Sequence, residues 1–163
     1  MIILGIDPGT ATTGFGVIDT DGKDIKYIDC GAITTSSAFE LPERLRQIYN
    51  EMNLIIREYK PEILSVEKLY FFKNTKTAMT VAQAKGVILL AGIKKKLPIH
   101  QFTPLQIKSC ITGYGRASKS QMQEMVKTIL ELEKKPKPDD AADALGAAIT
   151  YIRYANNRLL NGK

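Results

Sequence analysis

Leu4-Gly5-Ile6-Asp7-Pro8-Gly9-Thr10-Ala11-Thr12-Thr13-Gly14-Phe15-Gly16 decides how the rest of the chain is read. An apolar run, Met1 to Leu4 and then Ile6, ends in one carboxylate, and the chain turns at once. Pro8 fixes its own φ, and Gly9 is free to adopt φ > 0. The pattern predicts a buried strand that delivers Asp7 to its carboxyl end, a tight turn, and a second strand from about Gly14. A lone carboxylate in an apolar strand is costly to bury unless it is paired or binds a cation. The plainer alternative is that Asp7 only caps the turn.

Outward from this stretch, residues 14–19 read as the second strand, Asp21-Gly22 as a hairpin turn and residues 24–35 as a third strand. Leu41, Leu45, Ile48, Met52, Ile55 and Ile56 recur at steps of three and four, which predicts a helix over about 41–59, stopped by Pro61. Residues 62–67, Glu-Ile-Leu-Ser-Val-Glu, are a short apolar strand ending in Glu67, a second carboxylate at the end of a buried strand. Lys68-Leu69-Tyr70-Phe71-Phe72-Lys73 follows as an aromatic loop flanked by lysines. Its rings suit either an exposed surface or the core.

A helix rich in small residues is predicted over 75–96, closing on Lys94-Lys95-Lys96, which suits the negative end of the macrodipole. A fifth strand is expected over 98–103, then helices over about 104–111 and 119–132, the second capped by Ser118. Between them, Gly113-Tyr114-Gly115-Arg116 reads as a mobile basic loop. The last helix is expected from Asp139 or Asp140 to Tyr154, with residues 155–163 as a flexible basic tail. One domain over residues 1–154 accounts for the pattern, without internal repeats.

The chain has 163 residues and a formal charge of +6, which points to a polyanionic partner. Cys30 and Cys110 match neither a disulfide framework nor a zinc pattern, and with His100 as the one histidine, His-based metal sites fail on inventory. No apolar run approaches the ~20 residues of a membrane span. The N-terminus has no basic segment, so a cytoplasmic protein is expected.

Asp140 and Asp143 stand three apart at the start of the last helix and share one face. Around them lie Ala141, Ala142, Ala144, Leu145, Ala147 and Ala148, so this helix should be buried. N-terminal capping accounts for one of the two acids more readily than for both. Asp7, Glu67, Asp140 and Asp143 thus form a candidate four-carboxylate cluster. Such charges repel and raise one another's pKa, and a divalent cation removes the conflict. All-oxygen ligation suits Mg²⁺ or Mn²⁺, and two such ions can clamp a phosphodiester. A carboxylate pair could also serve glycoside hydrolysis, but the basic charge argues against a neutral sugar.

Ile6-Asp7-Pro8-Gly9 with Gly14-Phe15-Gly16, Val66-Glu67, Ala84-Lys85-Gly86 and Asp140-Ala141-Ala142-Asp143-Ala144-Leu145 together resemble the RuvC family of bacterial Holliday junction resolvases, in order over roughly residues 1–154. The resemblance implies an α/β ribonuclease-H-like fold, a five-stranded mixed sheet flanked by helices on both faces. It implies a metal-dependent endonuclease active in homologous recombination and DNA repair. Such an enzyme works as a homodimer that nicks two strands of like polarity at a four-way DNA junction, with two Mg²⁺ per active site or Mn²⁺ as substitute. A branch-migration helicase complex of RuvA and RuvB is the implied partner. Asp7, Glu67, Asp140 and Asp143 match the family's catalytic, metal-binding acids; some members carry histidine at the position of Asp140. Lys108 and Lys119 align with basic residues that help catalysis, although both also read as ordinary surface lysines. Arg116 joins them as a DNA-binding residue. Tyr70 stands where other members carry a phenylalanine that stacks at the junction centre, and Phe71 could share that role. The second helix is the implied dimer interface, and its small residues equally suit packing on its own sheet. Asp139 reads as a cap or a support for the acids.

Three rivals remain on sequence. Asp7-Pro8-Gly9-Thr10 also resembles the phosphate turn of actin-type ATPases and sugar kinases, but these need a second lobe. A non-catalytic nucleic-acid binder would keep the basic loops but has no use for four acids, which weaken DNA binding without metal. A ribonuclease-H-like nuclease with another substrate, such as an RNA–DNA hybrid, would share all four acids.

Overall fold

The computed structural model describes residues 1–69 and 75–160, with side-chain surroundings described except at residues 75, 76 and 157–160. Three strands open the chain, β1 (Ile2–Asp7), β2 (Thr12–Thr20) and β3 (Ile25–Thr34), followed by helix α1 (Leu41–Tyr59) and strand β4 (Ile63–Glu67). Then come α2 (Thr75–Lys94), β5 (Ile99–Phe102), α3 (Pro104–Thr112), α4 (Lys119–Ile129) and α5 (Asp139–Leu160). The strands form one five-stranded sheet in the order β3-β2-β1-β4-β5. β2 lies antiparallel to β1 and β3, while β4 lies parallel to β1 and β5, so the sheet is mixed, as expected.

Period-two alternation divides the core. Leu4, Ile6, Val17, Leu64 and Val66 pack with Ile48, Met52, Ile55 and Ile56 of α1 and Ala84, Ile88 and Ala91 of α2. Ile3, Ile18, Ile63 and Phe102 project to the opposite face, against Ile107, Ile111, Met122, Val126, Leu145 and Ile149 of α3, α4 and α5. Helices therefore cover both faces, and β1, buried on both sides, reads as a continuous apolar run.

The α5 face of the sheet carries small residues where the helix crosses it. A Cβ on Gly5 would collide with the Ala144 carbonyl oxygen and lie 2.9 Å from Ala148 N. One on Gly14 would collide with the Asp140 carbonyl oxygen and lie 2.9 Å from Asp140 Cβ. Ser65 donates its hydroxyl to the Ala147 carbonyl at 2.6 Å. With alanines on the facing side, helix and sheet meet almost backbone to backbone.

Several boundaries differ from the sequence expectation. β2 begins at Thr12 rather than Gly14, because the Thr13 hydroxyl donates to the Gly9 carbonyl at 2.6 Å and closes the turn. Gly9 is not among the residues with positive φ. Its lack of a Cβ serves the close approach of the Thr12 carbonyl instead. α4 stops at Ile129, since Leu130 leaves helical geometry and Glu131 takes φ 51°. α5 continues past Tyr154 to Leu160, with Asn156 donating to the Gly22 carbonyl at 2.8 Å.

Candidate active site

The parallel register pairs Ile6 with Val66, so the next residues, Asp7 and Glu67, end neighbouring strands on the same face. That face is the one α5 covers. Across the antiparallel pair Asp7 lies opposite Gly14, and the Asp140 backbone packs directly against Gly14. Asp143, one turn further along α5, reaches the cleft beside Glu67. A cleft of about 200 Å³ is lined by Glu67 and Asp143, by Lys108 and Lys119, and by Pro104, Ile107 and Met122.

Two capping boxes aim the lysines. Thr103 and Gln106 bond each other's backbone N–H groups at the start of α3, with Pro104 at its first position. Ser118 and Gln121 do the same for α4, which places Lys119 in the first helical position. Lys119 Nζ stands 3.3 Å from Asp143 Oδ2 and 3.8 Å from Asp139 Oδ2, an ammonium spanning two turns of the neighbouring helix.

The electrostatics are those of crowded carboxylates. Burial, then the charges of Glu67, Asp143 and Asp140, push Asp7 up to about 8, opposed by Lys119. Burial and then Asp143 raise Glu67 to about 7, against the pull of Lys108, Lys119 and Lys85. Asp143 is also raised, chiefly by burial, while Lys119 works the other way. Burial acts to lower the Lys119 ammonium, but Asp143 and then Asp139 outweigh it and hold its pKa above the ordinary value. Among the described residues, no group of three His, Cys, Asp or Glu side chains converges tightly enough to enclose an ion as the side chains stand. The donor set nonetheless suits a hard divalent cation: every candidate ligand is a carboxylate oxygen, and such an ion would offset both the burial and the mutual repulsion that raise the acids.

The four predicted acids therefore gather at the carboxyl ends of the inner strands β1 and β4, with Lys108 and Lys119 in the cleft wall. Arg116 is exposed in the α3–α4 loop and does not line the cleft. Tyr70 and Phe71 lie outside the described residues. Two further charges stand beside the four acids. Lys85 of α2 faces Glu67, and burial followed by Lys68 lowers its pKa. Asp139 shares Lys119 with Asp143. Lys85 belongs to the Ala84-Lys85-Gly86 motif, whose small neighbours give no sign of its charge facing Glu67, and Asp139, which reads from sequence as a cap or a support for the acids, stands within reach of Lys119.

Comparison with known proteins agrees with this geometry. The sequence model of crossover junction endodeoxyribonuclease RuvC matches residues 3–151. The crossover junction endodeoxyribonuclease RuvC of Finegoldia magna is 52% identical over 161 residues, covering 99% of this chain and 98% of its own. The Thermus thermophilus RuvC solved in complex with a Holliday junction substrate superposes with a TM-score of 0.90 at 31% identity, with 96% of each chain covered. The yeast mitochondrial Holliday junction resolvase, 14% identical, shares the fold with a TM-score of 0.68 over 98% of this chain and 82% of its own. With clustered strand-end acids, a two-faced mixed sheet and relatives matched over nearly the whole length, the chain belongs to the RuvC family of crossover junction endodeoxyribonucleases.

Proposed function

We propose that this protein resolves Holliday junctions, introducing symmetric paired nicks in two strands of like polarity during homologous recombination and DNA repair. The observation that carries the reading is the convergence of Asp7, Glu67, Asp140 and Asp143 beside a cleft walled by Lys108 and Lys119. Those acids would hold two Mg²⁺ ions, or Mn²⁺ in their place, and the ions would supply an activated water and charge neutralisation at the phosphodiester. Lys108 and Lys119 meet the phosphate from the other wall, and the leaving oxygen departs into a field that they keep positive. Pro104, Ile107 and Met122 limit the water around the reacting group. Arg116 contributes sequence-independent attraction to the DNA backbone. Tyr70 or Phe71 stacks at the junction centre.

A homodimer fits the substrate, because a closed two-fold pair presents two active sites to two symmetric scissile bonds. Met79, Leu90 and Ile93 support this, forming an exposed apolar stripe on the side of α2 away from the sheet. The nuclease domain extends to the end of α5, past the residue 154 expected from sequence, and it acts in the cytoplasm with RuvA and RuvB. Among the described residues, no helix is long and apolar enough to cross a membrane.

The test is incubation of the protein with a labelled four-way junction, a matched linear duplex and an RNA–DNA hybrid, with and without Mg²⁺. Metal-dependent paired nicks in the junction alone are expected, and Asp7→Asn should abolish them while leaving junction binding intact. Cutting of the hybrid alone would replace the substrate but keep the chemistry.

A further inference from the structure

Next to the cleft lies a second feature that the four acids and the lysines leave unexplained. Leu105 and Tyr114 are 62% and 59% exposed, a high value for large apolar groups. Leu105 is on α3, next to Pro104 of the cleft wall and one turn from Lys108. Tyr114 is in the loop that carries Arg116 and leads into Lys119.

The two form one surface. A Cβ on Gly115 would come within 2.5 Å of Leu105 Cδ1 and 2.8 Å of Ser109 Oγ, so Leu105 lies directly against the loop backbone beside Tyr114. The loop expected from its glycines carries its own hydrogen bonds. The Gly113 N–H donates to the Ser109 carbonyl at 2.9 Å, and the Tyr114 N–H to the Thr112 hydroxyl at 3.1 Å. That hydroxyl also sits 2.9 Å from both the Lys108 and the Tyr114 carbonyl oxygens, and the Ala117 N–H donates to the Tyr114 carbonyl at 3.1 Å. The backbone that holds the ring is thus pinned on both sides while the ring projects into solvent. An aromatic side chain has only two χ angles to order, so on a hydrogen-bonded backbone it costs little further entropy when it is covered.

We propose that Tyr114 and Leu105 form a stacking shelf for a nucleotide of the cleaved strand, outside the catalytic cleft. The occupant follows from continuity and charge. The shelf adjoins the wall that Pro104 and Lys108 give the cleft, with Lys108 one turn along α3 from Leu105 and the exposed Arg116 two residues along the loop from Tyr114. Those cations take the phosphates, and the aromatic and apolar surface between them takes the face of a base or sugar. The inference rests on the junction-resolving reading above.

Binding of a four-way junction without metal, measured against salt concentration, separates the terms. Tyr114→Ala should weaken binding about tenfold and leave the slope of log affinity against log salt unchanged, because no charge is removed. Tyr114→Phe should bind like the parent protein, because the ring stays. Arg116→Ala should instead reduce the slope by about one. Both Tyr114 variants replace an exposed side chain, so thermal melting should match the parent. Parental affinity in Tyr114→Ala, or an equal loss in Tyr114→Phe, overturns the shelf. A dimer that dissociates in Tyr114→Ala also overturns it, assigning the ring to a protein contact. If the parent protein binds no junction either with or without Mg²⁺, the broader reading fails, and that outcome is distinct from the others.

Discussion

At the scale of single residues the controlling fact is that Asp7 is a buried acid among other acids. Its pKa in the folded chain lies near 8, mainly through burial and next through Glu67, whereas in an unfolded chain it titrates near 4. For a carboxyl raised on folding the sign is fixed. Below about pH 4 both states are protonated and the fold carries no penalty. As pH rises from there toward about 8, the unfolded state ionises first, and stability is progressively lost. Glu67 acts in the same direction over a window ending near 7. Without divalent cations, the melting temperature is therefore expected to fall between about pH 5 and pH 8, and Mg²⁺ should restore more at the upper end than at the lower. Asp7→Asn removes the largest conflict and should stabilise the metal-free protein by about 2 kcal/mol near pH 8, even as it abolishes cleavage. Calorimetry across this pH range checks both statements. A flat profile, or a variant less stable than the parent at high pH, would mean that the acids are better solvated than their burial indicates.

At the scale of elements the site depends on how closely α5 approaches β1 and β2. Gly5→Ala would place a carbon against the Ala144 carbonyl and 2.9 Å from Ala148 N, both backbone atoms that cannot swing aside. The expected cost is about 3 kcal/mol, or about 6–12 °C in melting temperature for a domain of this size. Cleavage should fall more than the stability loss alone explains, since Asp140 and Asp143 ride on the displaced helix. Melting and single-turnover cleavage measured below the transition test this, and parental cleavage in the folded variant would uncouple helix position from chemistry. The same elements show what could be read from sequence. Strand-end Asp7 and Glu67 were legible because a carboxylate stands out in an apolar run. The Asp140 and Asp143 pair was legible because the helix around it has nothing polar to offer. Gly5 and Gly14 did not announce a helix crossing, because in sequence a glycine in a strand looks alike whether it faces a backbone or a void. The bond between Lys119 and Asp139 was hidden as well, since it joins two helices that begin twenty residues apart.

At the scale of the whole molecule the two faces of α2 have different fates. Ala84, Ile88 and Ala91 are buried against the sheet, while Met79, Leu90 and Ile93 are 74%, 51% and 60% exposed on the opposite side. Gly86 lies on the exposed side with nothing within 4 Å of where its Cβ would be, which leaves the stripe low enough for another helix to approach. A second copy meeting this stripe through its own would form a two-fold interface and hold two catalytic clefts at one fixed separation. Substituting Leu90 and Ile93 together by glutamate sets like charges against each other across that axis, while within one chain both side chains already face water. The double variant should therefore fold with a melting temperature within a few degrees of the monomer's own limit and run as a monomer in light scattering. Its acids are untouched, so it should still nick, but single nicks should replace paired ones because nothing ties the second cut to the first. A variant that remains dimeric would move the interface to another surface. A monomer that still makes simultaneous paired nicks would mean that the junction itself, rather than the protein, sets the geometry of the second cut.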